Sequence, residues 1–487
     1  MKGLEITMLV LYGACLVFLF FYSLAQLHLT VLYRRFRKKT AETPSPPLHW
    51  PKITVQLPLY NELYVAERLL QAVAALDYPP GLLQILVLDD STDETVSLVA
   101  KQVQILQSRG VTIEHIRRIE RTGYKAGALQ HAMPLSTGDF IVIFDADFVP
   151  EPNFLKKALP YFTSNRIGVV QTRWGHLNRT YSILTQLQAF GLDAHFTVEQ
   201  GGRNGGNHFI NFNGTAGIWR KETILDAGGW QPDTLTEDLD LSYRAQLRGW
   251  EFKYVEEIAV PAELPVTMSA LRSQQYRWTK GAAETARKHL LRVLKSNKSV
   301  TTKWLAFFHL LNSSVFVAVL LAAILSVPVM LVQPKYPEVT HLFALSSVFK
   351  ISFLILAFFY WTSERQLYSN KLSPWSFSLR FSLFLVMSLG LSLHNALAVI
   401  EGFMGRKTPF IRTPKFNLSA QKENWRQNKY TLPQVPPLTW VEGLLCLYFL
   451  GGVVLAFVQQ DFGFLPYHLM LLLGFGLVFG YTLRHSK

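Results

Sequence analysis

Apolar residues along this chain fall into three zones. They crowd residues 5–33 and the stretch beyond residue 304, and the sequence between reads like a soluble domain. Leu9 to Tyr33 is long enough to cross a hydrocarbon core of roughly 30 Å at about 1.5 Å per residue. Its positive cluster, Arg34, Arg35, Arg37, Lys38 and Lys39, follows the run. A cleaved signal peptide has the opposite order, so the segment reads as an anchor with the next domain in the cytoplasm. From Ile53 to about Arg287, short runs such as ITVQLPL, ILVLDD and FIVIFDADF alternate with helix-like stretches such as YVAERLLQAVAAL and DETVSLVAKQVQIL. Strands alternating with helices predict an α/β domain, a parallel sheet with helices on both faces. The acidic clusters sit at the carboxyl ends of those strands, where open α/β sheets bind ligands.

Beyond Lys303 the long apolar runs cover about 304–332, 341–362, 379–404, 440–458 and 462–483. If all five crossed a membrane, the loop 405–438 would face away from the cytoplasm. That loop holds Arg406, Lys407, Arg412, Lys415, Lys422, Arg426 and Lys429, which the positive-inside tendency disfavours. The third run is also broken by Arg380, His394, Asn395 and Glu401. The expected organisation is therefore an anchor (1–33), a basic linker (34–50) and a cytoplasmic catalytic domain (51–300). Two transmembrane helices (301–378), an interfacial or re-entrant helix (379–404), a cytoplasmic loop (405–438) and two more transmembrane helices (439–487) follow.

Composition changes this picture little. The formal charge of +14 concentrates beside the apolar segments, as expected of cytoplasmic flanks, and argues against a nucleic-acid partner. Cys15 and Cys446 both lie in apolar stretches, with no spacing for zinc or a disulfide framework.

The candidate chemistry lies in four clusters. Asp145-Ala146-Asp147 ends the run FIVIF, and strand alternation would point both carboxylates the same way. Such a pair is a hard oxygen site suited to Mg²⁺ or Mn²⁺, an ion able to bridge a diphosphate; two Asp residues at a strand end also commonly begin a turn. Asp89 and Asp90 end ILVLDD ahead of Ser91-Thr92-Asp93, and either cap the next helix or face a nucleoside. Thr236-Glu237-Asp238-Leu239-Asp240 reads both as a capping pattern and as the setting for a general base, Asp238. Gln274, Arg277 and Trp278 share one face of a helical stretch. A guanidinium can clamp a phosphate and an indole can stack on a sugar, although Trp and Arg are also common beside membrane helices.

In order and type, these clusters resemble the membrane-bound family 2 glycosyltransferases of the cellulose synthase superfamily, whose pattern is three Asp motifs followed by Gln-x-x-Arg-Trp. VLDDSTD, GYKAGAL, FDADFVPEPNFL, LDAHFTVEQ, FNGTAGIWR, GGW and TEDLDL look most like the cellulose-synthase-like mannan and glucan synthases. The resemblance is dense over about 50–290 and continues in outline beyond. It implies a GT-A, Rossmann-like nucleotide-sugar domain inserted between transmembrane helices. Asp89, Asp90 and the stretch Pro58, Tyr60, Glu62 would hold the nucleoside. Asp145 and Asp147 would bind diphosphate and metal, with Lys125 near the phosphates. Asp238 would be the base, Gln274 and Arg277 would hold diphosphate, and Trp278 with Glu237 would meet the acceptor. The reaction implied is an inverting transfer of a hexose from UDP-glucose or GDP-mannose.

Phe410-Ile411-Arg412-Thr413-Pro414-Lys415 is similar to the Phe-x-Val-Thr-x-Lys gating loop of processive cellulose synthases, with Arg412 in place of Val. It implies a cover over the donor, with Thr413 and Lys415 near the diphosphate, and a processive synthase passing its polymer through the membrane. Two other readings stay open: single transfer to a lipid acceptor, and a non-enzymatic transporter or scaffold. Expected partners are the nucleotide sugar, a glycan acceptor and membrane lipids, with further subunits allowed. The expected location is the plasma membrane, or the Golgi of a eukaryote.

Overall fold

Strands form where β-branched and aliphatic residues run together between turn signals. β1 (Ile53–Leu59), β2 (Leu83–Asp89), β3 (Ile113–Ile116), β4 (Phe140–Ile143), β5 (Ile167–His176), β6 (Gly217–Arg220) and β7 (Glu251–Ala262) make one sheet in the order β3-β2-β1-β4-β6-β5-β7. The computed structural model describes residues 2–37, 44–336, 348–368, 373–418, 425–430 and 435–486. Lys38, Lys39 and Lys422 of the basic clusters, and residues 341–347 of the second apolar run, lie outside them.

The sheet is mixed, not wholly parallel as the alternation of elements predicts. β6 runs antiparallel to both β4 and β5. After β5 the chain passes through two helices, and residues 206–216 bring it back to the same sheet edge. β6 therefore starts where its neighbours end and runs the other way. This reversal delivers the FNGTAG segment to the carboxyl edge, beside the ends of β1, β2 and β4. The order around β1 reverses between β2 and β4, and such a switch point opens a crevice.

Each face of the sheet is covered by amphipathic helices. The Ala66–Ala74 helix buries Ala66, Leu69, Leu70 and Val73, one face at helical spacing. They join Val55, Leu57, Val87 and Val142 in one core, while Leu86, Ile141, Ile143, Trp219 and Leu241 form another on the opposite face.

Among the described residues four helices are long and apolar enough to cross a membrane: Gly3–Phe36, Asn312–Val332, Leu438–Gln459 and Leu465–His485. The Val348–Tyr368 helix, part of the second apolar run, is not among them. Pro374–Gly390 and Ser392–Met404 form a pair bent by 52°, the geometry of a broken span or a re-entrant loop. The second half of this pair lies against the Met268–Lys295 helix of the α/β domain. A Cβ on Gly402 would sit 2.7 Å from Lys280 O, so glycine is what permits the approach. The 405–418 segment then returns to the α/β domain, where Phe416, Asn417 and Lys415 meet Glu263 and Asp147.

Candidate active site

One cavity opens at the carboxyl edge of the sheet, and nearly every predicted site residue lines it. Pro58, Tyr60, Glu62, Asp90, Lys125, Asp145, Asp147, Glu237, Asp238, Gln274, Arg277, Trp278, Thr413 and Lys415 are all in its wall. Asp89 is not. It is fully buried beneath the site, accepts the Ser91 amide at 2.9 Å and pairs with His115 Nε2 at 2.9 Å. Asp89 is the last residue of β2, and the pleat turns its side chain inward while Asp90 emerges. Its contribution is to hold the turn, whereas Asp90 faces the cavity in a two-pronged pair with Arg118, at 3.0 and 2.5 Å.

Asp145 and Asp147 lie just past β4, in a turn and not on strand positions. The strand alternation expected for them does not apply, yet both reach the cavity. Asp145 N donates to Thr215 Oγ1 at 2.9 Å, which ties this turn to the FNGTAG segment. Lys125 Nζ stands 2.6 Å from Asp145 Oδ1, and Lys415 Nζ stands 2.7 Å from Asp147 Oδ2. A cation is therefore already seated at each carboxylate. Among the described residues no third Asp, Glu, His or Cys joins this pair as a metal-binding group. The donor set fits a hard divalent ion that takes one or two carboxylates and completes its sphere with phosphate oxygens and water.

Lys125 reaches Asp145 because the YKAGAL helix begins hard against the sheet edge. A Cβ on Gly127 would lie 2.1 Å from Thr122 O, so the turn leading into the helix closes only over glycine. Lys125 also donates to Gly214 O at 2.9 Å and stands 3.8 Å from Glu237. Burial opposes its charge, but Asp145 and Glu237 hold the ammonium above its ordinary value.

Asp238 sits in the first turn of the Glu237–Leu247 helix. The Thr236 side chain makes no cap hydrogen bond there, so capping does not account for the TEDLDL motif. Asp238 Oδ1 accepts from the Leu239 amide at 2.8 Å. Burial and the neighbouring Glu237 carboxylate push its pKa up to about 7. The helix is anchored behind by Asp240, which is fully buried and bonds Arg244 at 2.9 Å and His289 at 2.7 Å.

Gly214 completes the wall beside Asp238. It has φ +80°, and a Cβ there would lie 2.9 Å from Asp238 Oδ2. Gly214→Ala adds a left-handed penalty of about 1–3 kcal/mol and displaces the carboxylate. Its expected outcome is a lower Tm together with a loss of turnover of at least tenfold, measured on the purified full chain.

The Met268–Lys295 helix starts where Thr267 Oγ1 accepts from the Ala270 amide, and that start fixes the height of Gln274, Arg277 and Trp278. Arg277 donates to Thr413 Oγ1 at 2.7 Å and its guanidinium lies 4.6 Å over the Phe410 ring. Its Nε is buried with no partner, leaving a donor for an anion. Trp278 stands 6.3 Å from Trp174.

The Phe410–Lys415 segment reaches into the cavity itself. Lys415 sits on Asp147, Thr413 on Arg277, and Arg412 lies 3.3 Å from Glu62. Glu62 is pushed up to about 8, mostly by burial, with Arg412 and Lys415 opposing the shift. Glu263 was not singled out by any motif, yet it clamps this loop. It is 3 % exposed and accepts the amides of Phe416 and Asn417 at 2.7 and 2.8 Å. Arg121, two residues ahead of Gly123, also lies outside every motif; its guanidinium lies 3.4 Å over the Tyr60 ring. Both contacts join segments far apart in the chain, and no local pattern announces them.

Residues 51–281 match the family model described as glycosyltransferase like family 2. A probable glucomannan 4-beta-mannosyltransferase 4 of Oryza sativa subsp. japonica is 44 % identical over 282 residues, covering 57 % of this chain and 51 % of that protein. Glucomannan 4-beta-mannosyltransferase 7 of Arabidopsis thaliana is 37 % identical over 345 residues, covering 67 % of this chain and 62 % of that one. The chain thus spans about half the length of the curated relatives it matches. Among solved structures, the mannosyltransferase PcManGT of Pyrobaculum calidifontis, in complex with GDP-Man and Mn²⁺, superposes with a TM-score of 0.50 at 18 % identity. That superposition covers 74 % of this chain and all of the other, and establishes the shared GT-A fold.

Proposed function

We propose, from the match of residues 51–281 to the model described as glycosyltransferase like family 2, that the chain transfers mannose or glucose from a nucleotide sugar to a growing β-linked glycan. The observation that carries this reading is one cavity holding paired carboxylates, cationic donors and a raised-pKa carboxyl together. The relatives named as glucomannan 4-beta-mannosyltransferases support a mannosyl donor and a glucomannan-type acceptor. The Mn²⁺ of the fold neighbour supports an ion at Asp145 and Asp147.

In this reading Pro58, Tyr60, Glu62 and Asp90 flank the nucleoside. Lys125, Arg277, Thr413 and Lys415 bind the diphosphate, with Lys415 and Lys125 moving from carboxylates to phosphates. Asp145 and Asp147 would hold a divalent ion, which would neutralise charge on the leaving diphosphate when bound. Asp238 accepts the proton of an acceptor hydroxyl as that oxygen bonds the anomeric carbon. The bond to the diphosphate oxygen breaks on the opposite side, so an α-linked donor gives a β-linkage with no covalent enzyme intermediate. Gln274 and Glu237 shape the boundary between the two substrates.

The finer proposal is processivity. An acceptor clamp has to survive release of the spent nucleotide, and Trp278, at the junction with the membrane helices, suits stacking on the terminal sugar. The Phe410–Lys415 loop then acts as the cover, and lid opening of this kind commonly limits turnover. Purified membranes given labelled GDP-mannose or UDP-glucose should yield a β-linked polymer. Trp278→Ala should abolish it, and Thr413→Ala with Lys415→Ala should slow elongation more than they weaken donor binding. A product limited to singly glycosylated lipid would replace this reading with lipid glycosylation.

A further inference from the structure

The helix beginning at Ile183 does not reach Gly205 as a regular α-helix. At His195–Glu199 it widens into a π-turn before resuming as Gln200–Gly205. A π-bulge gives up regular helical bonding and is found frequently at functional sites. Here it brings His195 Nδ1 to 2.9 Å from Glu199 Oε2 and turns His195 Nε2 toward the cavity floor, 3.1 Å from Asn213 Nδ2. Asn213 lines the cavity beside Gly214.

The roles along this chain of groups follow from one another. Gln200 Nε2 donates to Asn213 Oδ1 at 2.8 Å, so the amide oxygen faces Gln200 and the nitrogen faces His195. His195 Nε2 must then accept, which leaves its proton on Nδ1 for Glu199. The other Glu199 oxygen accepts from Arg203 at 2.9 Å. Four polar side chains below the floor thus hold one amide in one orientation. Asn213 keeps one N–H and one oxygen lone pair unused among the described residues, and a neutral donor–acceptor pair of this kind matches a sugar hydroxyl better than a phosphate. The same π-turn carries Phe196, whose ring lies 4.9 Å from Trp174, the neighbour of Trp278.

We infer that His195 and Glu199 are positioning residues that fix the Asn213 amide to receive a hydroxyl of the acceptor sugar beside Asp238. This deepens the glycosyl-transfer reading and rests on it. The test uses the full chain in detergent with mannohexaose as the acceptor probe, its binding followed by tryptophan fluorescence, and GDP-mannose and UDP-glucose turnover measured separately. Asn213→Ala and His195→Ala should each weaken mannohexaose binding about tenfold, the scale of a lost hydrogen-bond pair, with donor KM unchanged. The double variant should lose no more than either single one, and His195→Gln, whose amide oxygen can still accept from Asn213, should recover part of the loss. Unchanged oligosaccharide binding, additive losses, an equal fall in donor affinity or no binding by the wild type would each overturn the inference. Intact, Asn213-dependent binding with neither donor consumed would uphold the subsite and sink the transfer reading instead.

Discussion

Replacing Asp238 by Asn should lower transfer by about 10²–10⁴-fold, the scale of general-base catalysis, while donor affinity stays within a factor of two. The carboxyl is buried beside Glu237 and pushed up to about 7, so it is the ionised form that becomes scarce as pH falls. Wild-type transfer should therefore climb about tenfold per pH unit below 7 and level off above it. The stability consequence has the opposite sign. A carboxyl whose pKa rises on folding favours the folded state when protonated, and that contribution is lost as pH climbs from about 4 to 7. Asn mimics the protonated group, so Asp238→Asn should raise Tm at pH 8 even as it removes activity. Donor affinity and transfer falling together, with Tm unchanged, would make Asp238 a binding residue and not the base.

Removal of the divalent ion should cost transfer about 10³-fold, since charge stabilisation by a bound ion supplies several kcal/mol. Excess chelator should produce this loss reversibly, and Asp147→Ala should produce it permanently. Asp147 is buried against Lys415, so the variant also leaves an ammonium without its partner. Asp147→Asn keeps the volume and separates the two effects: Mn²⁺ affinity, read by water-proton relaxation, should fall in both variants, and Tm should fall more in the alanine. Full turnover in excess chelator would falsify metal dependence.

The cavity-lining cluster was largely legible in the sequence because each of its parts is local. Asp90, Asp145 and Asp238 follow strands or open helices, and Gln274, Arg277 and Trp278 sit one turn apart, so short motifs carry them. What was not legible depends on which segments meet. The inward turn of Asp89 follows from its being the last pleated residue of β2 rather than the first of the loop. The reversal of β6 follows from the path of residues 206–216 back to one edge, which no strand pattern encodes. Glu263 stands alone between apolar residues in PAELP, and its two partners lie about 150 residues away. The π-turn at His195 needs the tertiary contacts of Asn213 and Gln200 to be visible at all.

The Met268–Lys295 helix has a mechanical consequence. Arg277 and Trp278 ride on it, and five residues before Arg277 the buried Arg272 is pinned to the buried Glu442 at 2.8 Å. His394 bonds Arg272 O at 2.9 Å, Tyr276 bonds Glu401, and Lys280 donates to Arg406 O at 2.6 Å. Breaking a buried ion pair by removing one partner costs about 3–5 kcal/mol, so this helix is riveted to the Leu438–Gln459 helix and to the bent pair on successive turns. A tilt of those helices would therefore carry the Arg277 guanidinium and the Trp278 ring with it, as one rigid strut.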